Sequence, residues 1–306
     1  MPVQDDPDRD RSHNGAMPAA LSNLIRLLRP HQWAKNLLVF VAVLTAHRFG
    51  DAGAWRAGLL LFAAFCCAAS AIYVINDALD VGADRRHPDK AKRPFASGAL
   101  PLALAWVLAP LLLAGAAALA LPLPRAAGVV LVGYVALSVA YSLLLKRVLW
   151  LDVLVLAALY VLRVIAGALA IAVPMSPWLL GFALFLFISL ATLKRYGELA
   201  MSTTGVLDGR AYRATDAPVV LALGAAAALT AVLVLALYVQ SDDVRALYRK
   251  PELLWFATPI LIYWLARLWT LAGRGAVRAD PILFALRDVA SHLCGVALMI
   301  TFWVAL

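Results

Sequence analysis

Asn76-Asp77-Ala78-Leu79-Asp80-Val81-Gly82-Ala83-Asp84-Arg85-Arg86-His87-Pro88-Asp89-Lys90-Ala91-Lys92-Arg93-Pro94 follows an uncharged apolar run, Ala57 to Ile75. Carboxylates and then a block of cations therefore arrive where a membrane-length stretch of hydrophobic side chains ends. If the helix of that run continues through Asp84, then Asn76, Asp77, Asp80 and Asp84 share one face. Carboxylates crowded on one face repel one another unless a counter-ion sits among them. Hard Mg²⁺ relieves that conflict, because it takes oxygen ligands and leaves positions for water and phosphate oxygens. Lys90, Lys92 and Arg93 would then offset the remaining phosphate charge. The stretch predicts a Mg²⁺-diphosphate site at a membrane surface, with Asn76, Asp77, Asp80 and Asp84 on the metal side. The alternative is a solvated loop of mixed charge whose cations only obey the positive-inside rule.

The rest of the composition supports the membrane setting. The 306 residues are 64% hydrophobic with a mean hydropathy of +0.84, against about 45–50% apolar in soluble domains. The chain reads as an all-α integral membrane protein. Its net charge of +9 is the excess expected of many cytoplasmic loops, and no basic patch interleaved with aromatics suggests nucleic acid. Residues 1–22 are polar and suit a disordered tail, leaving 23–306 as one membrane domain. Each crossing needs about 20 apolar residues, and the apolar segments fall near 34–49, 56–76, 100–121, 125–144, 149–172, 177–197, 217–240, 253–272 and 283–305, nine in all. Alternate loops hold most of the Lys and Arg. This places the N-terminus and the acidic stretch in the cytoplasm of a cell-membrane protein, and the C-terminus outside. Phosphate loops of the Gly-Lys-Ser/Thr type, His-Glu-x-x-His and Gly-x-Ser-x-Gly are all missing, which removes the usual soluble NTPase, zinc protease and serine hydrolase readings.

A second polar cluster closes the sixth segment, Thr192-Leu193-Lys194-Arg195-Tyr196-Gly197-Glu198. Lys194 and Glu198 are spaced to pair as a helix-end salt bridge. The matching position in a second half of the chain equally allows the two clusters to face across one cytoplasmic-side cavity. Lys35, Tyr141, Ser142, Lys146 and Asp152 lie at the same level. Arg163 falls in mid-segment, where an unpaired charge costs about 2.5–3.5 kcal/mol, so Asp152 or an acid of the second loop is its expected partner, with substrate binding an equal alternative. Asp280-Pro281 reads as a helix start capped by Asp280, while Arg287 and Asp288 stand open as phosphate or ribose contacts.

The spacing Asn76-Asp77-x-x-Asp80-x-x-x-Asp84 resembles the motif of the UbiA superfamily of intramembrane prenyltransferases, which implies a nine-helix bundle with a cytoplasmic-side active-site cavity. Further stretches are similar to the branch that transfers phosphoribosyl from phosphoribosyl diphosphate (PRPP) to a polyprenyl phosphate. They are Arg29-Pro-His-Gln-Trp33-Ala-Lys35-Asn36, the block from Asp84 to Pro94, Tyr141 to Lys146 with Asp152, Leu162-Arg163-Val-Ile-Ala-Gly167, Lys194-Arg195-Tyr196-Gly-Glu198 and Ala285-Leu-Arg287-Asp288. Family members that cleave prenyl diphosphates resemble one another in a second acid-rich motif after the sixth helix, where this chain has Lys194, Arg195 and Glu198. Cations there suit a donor with an additional anionic group, such as the 5-phosphate of PRPP. The resemblance implies Mg²⁺ on Asp77, Asp80 and Asp84 and oriented by Asn76, Lys194 and Arg195 on the 5-phosphate, Glu198 on the ribose, and Lys35 on the acceptor phosphate. Asn36, Tyr141, Lys146, Arg163 and Tyr196 complete the expected substrate contacts. The competing readings are prenyl transfer to an aromatic or other lipophilic acceptor, and a transporter or lipid flippase. A homo-oligomer remains open.

Overall fold

The computed structural model describes residues 19–86, 90–201, 207, 209–277 and 280–306. In chain order its α-helices are α1 (Ala19–Leu28), α2 (Val41–Thr45), α3 (Ala52–Leu79), α4 (Val81–Asp84), α5 (Ala103–Ala120), α6 (Arg125–Leu143) and α7 (Leu151–Ala170). They continue as α8 (Pro177–Ala200), α9 (Ala217–Gln240), α10 (Asp242–Leu247), α11 (Ala257–Gly273), α12 (Pro281–Ala285) and α13 (Val289–Ala305). No strand occurs among the described residues. The polar tail expected over 1–22 lies outside the described residues as far as residue 18, and helix replaces it from Ala19 onward.

Seven helices among the described residues are long and apolar enough to cross a membrane, in two cases together with a preceding 3₁₀ segment. The nine expected segments exceed that count at both ends of the chain. The first is a 3₁₀ helix, Pro30–Phe40, running into the five-residue α2, and the last is α13 at 17 residues, set off from the short α12. A 3₁₀ segment rises faster per residue than an α-helix, so the same number of residues covers more depth. Helix starts follow local chemistry. Asp51 caps α3 by accepting from Ala54 N at 3.0 Å, and Ser176 before Pro177 caps α8.

Burial sorts the spans. The most apolar windows of α3 and α7 are each 61% buried against 17% for α5, so α3 and α7 form the axis and α5 faces lipid. One core cluster joins α7 to α8, α9 and α11, and another joins it to α3 and α6. Gly167 on α7 makes the first segment's position possible: a Cβ there would sit 2.1 Å from the Val39 carbonyl oxygen. One turn earlier on the same face, Arg163 donates from Nε to Asn36 Oδ1 at 2.8 Å and from Nη2 to the Tyr134 hydroxyl at 2.9 Å. Its guanidinium carbon also lies 4.6 Å from the Tyr134 ring centroid. The mid-segment arginine is thus satisfied by neutral partners, not by Asp152 or a second-loop acid. At one end of the bundle His47 meets the Tyr248 hydroxyl at 3.2 Å and Lys250 N donates to Ala305 O at 3.0 Å. The charged side chains singled out above gather at the other end.

Candidate active site

The acidic stretch is built at the C-terminal end of α3. The helix pauses at Asp80, whose backbone sits at φ −88° and ψ 3° before α4 resumes. That one-residue break changes the expected face. Asp77 and Asp84 are both buried at 3% exposure, whereas the Asp80 side chain turns outward and is exposed. Arg93 Nη1 bridges the two buried acids, 3.0 Å from Asp77 Oδ1 and 2.7 Å from Asp84 Oδ2. Arg29 Nη2 reaches the same Asp77 oxygen at 2.6 Å. Arg29 is held at φ 53°, a left-handed conformation uncommon for a residue with a side chain, and its guanidinium carbon lies 5.0 Å from the Tyr73 ring centroid. Both arginine side chains keep partial exposure, 22% and 28%, so the cations sit over the buried acids as a lid sits over a well. Lys90 and Lys92 are exposed, and His87, Pro88 and Asp89 lie outside the described residues.

The second cluster is sealed. Arg195 and Asp152 are both at 0% exposure, with Arg195 Nε donating to Asp152 Oδ2 at 2.5 Å. Arg195 Nη1 donates to Glu198 and Nη2 to the Tyr141 hydroxyl at 3.1 Å. Tyr212 donates its hydroxyl to Asp152 Oδ1 at 2.7 Å, and Arg210 Nη1 donates to the Tyr141 hydroxyl at 3.0 Å. Glu198 therefore pairs with Arg195, and at 3.7 Å with Arg210, instead of with Lys194. Arg195 has every nitrogen engaged and lies too deep to grip a 5-phosphate. Tyr196 packs between apolar clusters, its ring 6.0 Å from that of Trp269. Arg210 and Tyr212 were not marked by the sequence as site residues, because they sit in an aperiodic loop where spacing carries no signal.

A third group brings together Lys35, Lys194 and Asp280. Lys35 Nζ is 2.5 Å and Lys194 Nζ 3.7 Å from Asp280 Oδ2, while Asp280 Oδ1 accepts from Ile282 N at 3.1 Å and so caps α12. Burial disfavours the charged form of Asp280, but the two lysines outweigh it and hold the carboxyl below its ordinary range. His31 is pushed down by partial burial and by the positive charges of Arg29, Lys35 and Arg287, and the Arg287 side chain is exposed. Asp288 turns elsewhere. It forms a two-pronged pair with Arg267 at 2.6 and 2.9 Å, accepts from Ser291 N at 2.9 Å to cap α13, and sits low in pKa chiefly through Arg267. Asn36 is fully buried on Arg163, and Lys146 is half-buried in a 3₁₀ turn. Asn76 Nδ2 donates to Ser142 Oγ at 3.0 Å, next to Tyr141, and so ties the acidic group to the sealed one.

Buried acids, partly exposed arginines and paired lysines thus gather in a bundle of helices long and apolar enough to cross a membrane. The chain belongs to the UbiA prenyltransferase family, whose model matches residues 37–287. It is 38% identical to nodulation protein NoeC of Azorhizobium caulinodans over 90% of this chain and 91% of that protein. It is 31% identical to decaprenyl-phosphate phosphoribosyltransferase of Mycobacterium tuberculosis, over 94% of each. A Sinorhizobium fredii relative, the uncharacterized protein y4nM, is 36% identical over 91% of this chain, which spans only 55% of that relative's length. In fold, the chain is similar to a UbiA homolog from Archaeoglobus fulgidus solved with GPP and Mg²⁺, with TM-score 0.71, 18% identity and coverage of 91% of this chain and 99% of that one.

Whether these residues suit a divalent metal can be tested on their chemistry. Among the described residues no three His, Cys, Asp or Glu side chains converge as a ready cage. Asp77 and Asp84 nonetheless present hard oxygens to a single cationic nitrogen, and Mg²⁺ is commonly held by one or two carboxylates plus water and substrate phosphate. The pair fits Mg²⁺, with Arg93 standing where the ion's charge would act.

Proposed function

We propose that this chain transfers a 5-phosphoribosyl group from PRPP to a polyprenyl phosphate, a pentosyl transfer, in a membrane crossed by nine segments, with the site facing the cytoplasm. The observation that carries the reading is the mismatch in charge between the two halves of the site: buried acids on one side, and on the other Lys194, joined by Lys35 at Asp280, where a second acidic motif would serve a prenyl diphosphate. Relatives bearing the phosphoribosyltransferase name at 31–39% identity support it.

Asp77 and Asp84 would hold Mg²⁺, which when bound neutralises diphosphate charge and stabilises it as a leaving group. Asn76, fixed by Ser142, orients an oxygen at the edge of that group. Arg93 and Arg29, half-exposed above the acids, swing to diphosphate oxygens, and Lys90 and Lys92 add positive potential from the loop. As the ribose C1–O bond breaks, its electron pair stays with the diphosphate, and the cations meet the growing negative charge where they are worth most. An oxygen of the polyprenyl phosphate then bonds to C1. That oxygen is already ionised, so no strong general base is required. The lysine pair meets the remaining phosphate group.

The test is to incubate purified protein and Mg²⁺ with PRPP plus a polyprenyl phosphate, and separately with a prenyl diphosphate plus 4-hydroxybenzoate, and to analyse lipid products by mass spectrometry. A polyprenyl-phosphoryl-5-phosphoribose in the first tube only is expected. Product in the second tube only would transfer the assignment to prenylation.

A further inference from the structure

Two lysines from distant parts of the chain reach one oxygen of one carboxylate. Lys35 is committed to Asp280 at 2.5 Å, while Lys194, 31% exposed, stands at 3.7 Å, beyond a hydrogen bond. Together with Tyr160, Leu190 and Ile282 they line a cavity of about 30 Å³, room for about two water molecules. The Lys35 ammonium also lies 5.8 Å from the Tyr160 ring centroid. Two ammonium groups and one carboxylate leave the cavity with an excess positive charge inside largely apolar walls.

A plain buried salt bridge explains Lys35 and Asp280 but leaves Lys194 unexplained, since it is drawn to an anion that is already taken. A phosphate monoester carries about two negative charges and three acceptor oxygens, enough to satisfy both ammonium groups at once. The sequence reading gave Lys35 and Lys194 separate phosphates; the shared carboxylate instead aims both at one.

We propose that Lys35 and Lys194 together hold a single phosphate monoester group, and that Asp280 is its resident stand-in, keeping the lysines aligned until the phosphate displaces it. Asp280 is thus a positioning residue acting through the lysines. The proposal rests on the phosphate-handling reading of this end of the bundle, but not on transfer chemistry. The monoester is either the 5-phosphate of a sugar or the phosphate of an isoprenoid.

Binding is measured calorimetrically on the full chain in detergent at pH 7, with ribose 5-phosphate in one arm and farnesyl phosphate in the other. Asp280→Asn keeps an amide oxygen to cap α12 while removing the competing charge. It is expected to tighten binding of the true phosphate roughly tenfold, and Lys194→Met to weaken it by a similar factor; adding Lys194→Met to Asp280→Asn cancels the gain. A merely structural Asp280 would leave binding unchanged or weaker, and that result in both arms overturns the proposal. Should Asp280→Asn fail to purify as folded protein, unaltered binding in Lys194→Met does the same. The arm that tightens identifies the phosphate. Turnover of PRPP without tightening removes only this inference, and tightening without turnover removes only the transfer reading.

Discussion

The acidic and the sealed clusters use the same ion-pair chemistry at opposite depths, and their burial separates their roles. In the first, Asp77 and Asp84 are buried beneath arginines that are 22% and 28% exposed, so the cations can leave for an arriving anion and the acids are then free for another cation. In the second, Arg195 and Asp152 are both fully buried and hydrogen-bonded on every side. Exchange there would strand a charge. On the proposed function the first cluster receives the ligand, while the second braces α7 against α8 and the loop that carries Arg210 and Tyr212.

The comparison is broken most directly at Asp152. Asp152→Asn removes the fully buried one of the two counter-charges on Arg195, leaving Glu198 alone, and is expected to cost about 3 kcal/mol, read as loss of folded protein or a large fall in thermal unfolding temperature in detergent. A stable Asp152→Asn protein with lost activity would make the sealed cluster a ligand site after all. Asp77→Asn should do the opposite, lowering transfer roughly 100-fold or more with little change in unfolding temperature.

Much of this arrangement was legible in the chain, and its limits have physical causes. An apolar run ending in spaced acids marked both a membrane-length helix and the charged cluster at its end, because helical period and charge repulsion are local properties. The outward turn of Asp80 was not, since it depends on a single backbone break between α3 and α4. Helix-end spacing suggested Lys194 with Glu198, but tertiary partners won: Asp280 for the lysine and Arg195 for the glutamate. Arg163 showed by its depth that it needed partners, yet the neutral set of Asn36 and Tyr134 came from segments that only the fold brings together. Asp280 was readable as a cap, and it is one, but its second oxygen serves the lysines.

Smaller effects sharpen the same contrast. Gly167→Ala would drive a Cβ toward the Val39 carbonyl and is expected to cost about 1–3 kcal/mol by displacing the segment that carries Lys35, so stability and activity should fall together. Asp288→Ala removes the α13 cap and should cost about 1 kcal/mol with activity retained. Because Arg267 holds the Asp288 carboxyl below its usual value, the contribution of Asp288 is complete above the ordinary carboxylate pKa of about 4. It is lost as pH falls through the lower folded value. Unfolding temperatures of wild type and Asp288→Ala should converge as the pH is taken down that far.

The most direct measurement is titration of Mn²⁺, as a paramagnetic substitute for Mg²⁺, into wild type, Asp77→Asn and Asp84→Asn in the presence of diphosphate, with the bound ion read by electron paramagnetic resonance. The account expects saturable binding in wild type that disappears in both variants while their thermal unfolding stays close to wild type. Equal binding in all three proteins would contradict it.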